Sequence, residues 1–119
     1  MFKEANVTVM VSNIDRAVRF YVDTLGLKMK SRYGDSFAQV EAPGTVIALH
    51  PSSKNGPQPG RSESLSIGLG VEDLVSAMSS LKERGITFSD VRMDGPVKLA
   101  FFTDPDENPL YLSQTQNWA

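Results

Sequence analysis

The sequence contains no cysteine. Disulfides, thiol nucleophiles and thiolate metal sites are therefore excluded. Histidine is almost missing too, with His50 the only one in 119 residues. An iron site of two histidines and one carboxylate cannot be built within one such chain. No apolar run is long enough to span a bilayer. The N-terminus, with Lys3 and Glu4, lacks the apolar core of a signal peptide. The expectation is a cytoplasmic protein with no membrane partner. Twelve basic residues stand against 14 acidic ones, giving a net charge of −2, and the Lys and Arg are scattered. No nucleic-acid partner is expected from that distribution. A serine nucleophile motif and a paired-carboxylate spacing are both lacking. Gly56–Gly60 is interrupted by proline and opens no helix, so it is not a phosphate loop.

What remains is an ordinary apolar fraction of 40% and a charged fraction of 22%, which suit one globular domain with a real core. The chain also repeats itself. Asn6-Val7-Thr8-Val9-Met10-Val11-Ser12-Asn13-Ile14-Asp15 is echoed 60 positions later by Ser66-Ile67-Gly68-Leu69-Gly70-Val71-Glu72-Asp73-Leu74. Asn13 falls on Asp73, Ala17 on Ala77, Val18 on Met78 and Tyr21 on Leu81. Each segment reads as a strand, a capping residue and an amphipathic helix, stopped by Gly26 and by Gly85. A duplicated unit buries its apolar face against its twin, and the seam is a natural cleft.

Alternation and turn signals predict strands over residues 6–12, 27–33, 36–41 and 45–50 in the first half. The second half is predicted to have strands over 64–71, 86–89, 97–103 and 109–113. Module one thus spans 1–51 and module two 63–119. The proline- and glycine-rich linker 52–62 joins them. Each half is strand, helix, then three strands.

The run Val11-Ser12-Asn13-Ile14-Asp15-Arg16-Ala17-Val18-Arg19-Phe20-Tyr21, with Leu25-Gly26-Leu27, resembles the opening of the vicinal oxygen chelate superfamily. That superfamily includes glyoxalase I, bleomycin-resistance proteins, fosfomycin-resistance enzymes and extradiol dioxygenases. Phe102-Thr103-Asp104-Pro105-Asp106 and Asn108-Pro109-Leu110 resemble its closing signature. The resemblance implies an α+β fold of two βαβββ modules in tandem, whose curved mixed sheets form a cup, and a homodimer. One departure is Glu107, where the closing turn normally has glycine at a position that favours positive φ.

The metal-using members hold a divalent ion with four side chains, typically His and Glu, one from the first strand and one from a late strand of each module. Carried over, those positions fall on Asn6, Ala48, Ser66 and Tyr111. Alanine has no donor atom, and neutral amide, hydroxyl and phenol are poor substitutes. No metal and no other cofactor is expected. An oxygen-ligated cation at Asp104, Asp106 and Glu107 competes with a plainer reading, a solvated acidic turn.

Strand alternation gives a candidate lining for the cup: Asn6, Thr8, Met10, Ala48, His50, Ser66, Gly68, Tyr111 and Ser113. Gly68 and Ala48 are small enough to leave room. Tyr33 and Phe37 bracket a hairpin and could stack on a flat ligand, or simply pack across strands. His50 is the one side chain that ordinarily titrates near neutrality. A lone histidine at a strand end is more often a surface residue. Arg61 could anchor an anion, and Trp118 could fold over a pocket. These residues point to a metal-independent small-molecule binding protein. The alternative is a metal-independent lyase or isomerase using His50 and Tyr111 as acid and base. A plugged interaction module is the third reading.

Overall fold

The computed structural model describes residues 1–115; Trp118 lies outside them. The chain divides into two compact units, Met1–Gly60 and Arg61–Ala119. Each unit is a βαβββ module with a mixed four-stranded sheet, so the α+β tandem architecture holds.

In the first unit, β1 (Asn6–Val11) leads into α1 (Ile14–Val18). Asn13 caps α1 by accepting from the Arg16 N–H at 2.8 Å. The helix then loosens into a π-helical turn over Arg19–Thr24, where the Leu25 N–H reaches back five residues to the Phe20 carbonyl. Tyr21, in the middle of that turn, is fully buried. Three strands follow: β2 (Lys28–Tyr33), β3 (Phe37–Ala42) and β4 (Thr45–Pro51). The sheet order is β1-β4-β3-β2, with β1 parallel to β4 and the other pairs antiparallel. Alternate residues point to one side: Val9, Val11, Ala38, Val40, Ala42, Ile47 and Leu49 are buried. That is the side against α1, which packs on β3 and β4.

The second unit repeats the plan. β5 (Ile67–Gly70) and α2 (Leu74–Glu83) precede β6 (Asp90–Asp94), β7 (Val97–Thr103) and β8 (Pro109–Thr115), in the order β5-β8-β7-β6. Asp73 caps α2, accepting from the Val75 N–H at 3.2 Å and the Ser76 hydroxyl at 2.8 Å. The hydrogen bonds from Ser76 hold its carboxyl below the ordinary carboxylate range. Gly85, at φ 96°, ends the helix. Its N–H donates to the Lys82 carbonyl, and the Ile86 N–H donates to that of Leu81. Leu74, Leu81, Ala100, Phe102, Leu110 and Leu112 form this unit's core.

One predicted strand is displaced. Residues 86–89 alternate Ile86 and Phe88 with polar neighbours, yet they only lead in, and the ladder begins at Asp90. Ile86 is tied back to the helix end, and the alternation reflects the burial of Ile86 and the packing of Phe88 against Phe102. Every residue of β6 is exposed. No burial pattern marks such an edge strand. It pairs because the Asp94-Gly95 turn returns the chain along β7.

The closing turn is also better defined than a solvated acidic loop. Asp104 is only 3% exposed. Its carboxylate accepts from the backbone N–H groups of Asp106 and Asn108, both at 2.9 Å, and from the Asn108 amide at 2.8 Å. Glu107, at the glycine position, has φ 66°. It is the one non-glycine positive φ among the described residues. Its side chain meets Arg61 only at 3.9 Å, with both exposed, so that pair contributes little. Glu107→Gly is therefore expected to stabilise the chain by about 1 kcal/mol, raising the melting midpoint by about 5 °C. An unchanged or lowered midpoint in a thermal unfolding scan would contradict strain at this turn.

Candidate functional site

Opposite α1, the first sheet carries a second face with a different composition. Pairing sets it in rows. Thr8 stands beside Ala48, Ala48 beside Gln39, and Gln39 beside Ser31. In the next row Met10 stands beside His50, while Phe37 pairs with Tyr33. Asn6 lies in the row on the other side, beside Val46. Asn6, Thr8, Met10, Tyr33, Phe37, Ala48 and His50 thus share one face of one sheet.

Their environments differ. Asn6, Thr8 and His50 are exposed, Met10 and Phe37 are half-buried, and Ala48 is buried. Tyr33 is 65% exposed, yet its ring is stacked on Phe37 at 5.6 Å between centroids and 21° between planes. Arg32 holds that hairpin in place. Its Nε donates to the Gly34 carbonyl at 2.9 Å, and its guanidinium pairs with Asp35 at 3.2 Å and with Asp15 on α1 at 3.4 Å. His50 Nδ1 lies 2.9 Å from the Pro51 carbonyl. A carbonyl can only accept, so this hydrogen bond requires a proton on Nδ1. Sequence reasoning did not single out Ser31 and Gln39, whose side chains are joined by a 2.9 Å hydrogen bond within this face. The alternation of Phe37, Gln39 and Glu41 was the available signal.

The second unit treats the equivalent positions otherwise. Ser66 precedes β5, outside the ladder, and is exposed. Gly68 pairs with Tyr111, and Tyr111 with Phe101. The room expected over Gly68 is taken: a Cβ there would overlap the Tyr111 ring. Arg61 is exposed, with Glu107 as its distant partner. A wide concavity of about 480 Å³ lies instead at the end of β5, lined by Gly70, Val71, Glu72 and Thr115.

The donor set at the carried-over positions does not fit a divalent transition-metal ion. In the first unit Asn6 offers an amide, and Ala48 offers no donor. In the second unit Ser66 offers a hydroxyl, and Tyr111 a phenol packed over glycine. Among the described residues no three His, Asp or Glu side chains gather as such an ion requires. No described helix is long and apolar enough to cross a membrane.

Two βαβββ modules in tandem, each with one helix-covered face and one face of mixed polar and aromatic residues, define a paired-module scaffold. The profile of the Glyoxalase/Bleomycin resistance protein/Dioxygenase superfamily matches residues 5–112. The chain belongs to that superfamily. No curated protein gives a match. Among solved structures, a superfamily member from Sphaerobacter thermophilus is 30% identical, with 96% of this chain and 98% of that one covered and a TM-score of 0.77. TnmS3, an antibiotic binding protein from Streptomyces sp. CB03234, is 28% identical, with 98% of both chains covered and a TM-score of 0.80. A glyoxalase family protein from Enterococcus faecalis is 25% identical, with 94% and 98% covered and a TM-score of 0.78.

Proposed function

We propose that the chain is a metal-independent small-molecule binding protein, working as a homodimer, whose ligand is held by shape, stacking and hydrogen bonds. The observation that carries this reading is the first sheet's open face. A stacked aromatic pair, on a hairpin held by Arg32, shares that face with His50 and Met10. Beside them are the hydroxyl of Thr8, the bonded Ser31–Gln39 pair and the small Ala48. Apolar walls with a few fixed polar anchors are what a small-molecule site requires. Similarity to an antibiotic binding protein supports the same reading, as does a donor set unsuited to coordination.

Calorimetric titration with a panel of antibiotics and aromatic metabolites tests it. At least one compound is expected to bind, with unchanged affinity after EDTA treatment. Tyr33→Ala is expected to weaken that binding about tenfold, the scale of one aromatic stack. Silence across the panel would count against the binding reading. Binding lost with EDTA and restored by zinc or manganese would count against metal independence. The second reading is a lyase or isomerase using His50 and Tyr111 as acid and base, and the exposure of the His50 ring favours it. Turnover of a bound compound that disappears in His50→Gln would favour it.

A further inference from the structure

The two modules differ in a complementary way at one pair of positions. On the first sheet, Thr8 of β1 lies beside Ala48 of β4. On the second, Gly68 of β5 lies beside Tyr111 of β8. The sizes are reversed: a hydroxyl-bearing side chain against a methyl in one, and no side chain against a large ring in the other. The ring leans over the strand that has no side chain. A Cβ on Gly68 would lie 2.7 Å from Tyr111 Cε2, with Cζ and the phenol oxygen closer still, well inside contact distance. Gly68 has no positive φ, so backbone freedom does not demand glycine here. Space does.

The ring is braced on its other side as well. Phe101 packs against it with centroids 6.0 Å apart and planes at 42°. Arg92 lies over Phe101 at 4.6 Å from the ring centre and is itself paired with Asp90 at 3.6 Å. Gly68, Tyr111, Phe101 and Arg92 therefore run across all four strands as one packed series.

We infer that Gly68 and Tyr111 act as a single steric unit, in which the tyrosine ring fills the place that only glycine leaves open. This unit closes the β5–β8 part of the second sheet's face and sets the size of what that face admits. Tyr111 stands at a position that the family resemblance assigns to a metal ligand, and here its ring packs against Phe101 and over Gly68. The consequence for ligand size rests on the binding reading above; the seating of the ring does not.

A double-mutant cycle in urea unfolding is the test, and it needs no ligand. Its failure is thus separate from any failure of the binding reading. Gly68→Ala alone is expected to shift the unfolding equilibrium constant about tenfold or more towards the unfolded state. The same change in a Tyr111→Ala background is expected to be neutral within about threefold. If Gly68→Ala fails to fold, a Gly68→Ala/Tyr111→Ala protein that folds gives the same support. Additive effects, or a double variant that fails alongside the single one, would overturn the steric unit. Free phenol, the group deleted in Tyr111→Ala, reports the space itself. It is expected to move the Gly68 amide resonance in Tyr111→Ala and not in the wild type. No movement in either protein, or equal movement in both, would overturn the ligand-size consequence.

Discussion

Asp104→Ala is expected to lower the stability of the fold by about 3 kcal/mol, through the loss of a set of part-buried hydrogen bonds to a charged acceptor. Asp104 is the one buried charged side chain among the described residues. Its carboxylate accepts from the N–H groups of Asp106 and Asn108 and from the Asn108 amide, among other interactions. Removing it strips these part-buried donors of their shared acceptor. The turn also joins β7 to β8, the pair at the centre of the second sheet, so loosening it loosens the ladder at Thr103 and Pro109. For a chain of this size the midpoint is expected to fall by about 10–15 °C. Asp104→Asn separates the contributions. It keeps an acceptor for the two backbone groups and opposes its own amide to that of Asn108, so about half of the loss is expected. Equal thermal midpoints for Asp104→Ala and wild type would contradict this account of the turn.

Tyr21→Ala is expected to cost about 4 kcal/mol, the scale of deleting a buried aromatic side chain. Tyr21 is completely buried, and its ring meets Phe20 edge to face at 5.2 Å and 82°. It sits within the π-helical turn, where its carbonyl also receives the Leu27 N–H at 3.1 Å. Total stabilities of single domains are about 5–15 kcal/mol, so this one change removes a large share. Tyr21→Leu, the residue type of its repeat counterpart Leu81, retains most of the apolar volume and is expected to cost about 1–2 kcal/mol. Urea midpoints for the two variants give the comparison, and a Tyr21→Ala protein as stable as Tyr21→Leu would show that the ring is not a core element.

Much of the fold was legible because the repeat carries its own punctuation. Asn13 and Asp73 cap, Gly26 and Gly85 stop, and the apolar residues between them keep helical spacing. These are local effects, and local effects are written in neighbouring residues. The face shared by Asn6, Thr8, Met10, Ala48 and His50 was legible for the same reason, since strand alternation is local too. β6 was misplaced because its pairing depends on a turn and a partner strand, and its own residues bury nothing. The acidic turn was misread because charge suggests exposure. Only the loop's backbone conformation shows that Asp104 points inward to its own donors.

By itself, the sequence determined the element order, the duplicated α+β plan and the poverty of metal donors. Residue types, caps and periodicity suffice for those. Tertiary structure alone decided that Tyr111 fills the space over Gly68, that Arg32 ties the aromatic hairpin to α1, and that Asp104 is buried. Each depends on which strand lies beside which, and in what register. That register joins residues such as Gly68 and Tyr111, 43 positions apart, whose sizes matter only once the ladder has made them neighbours.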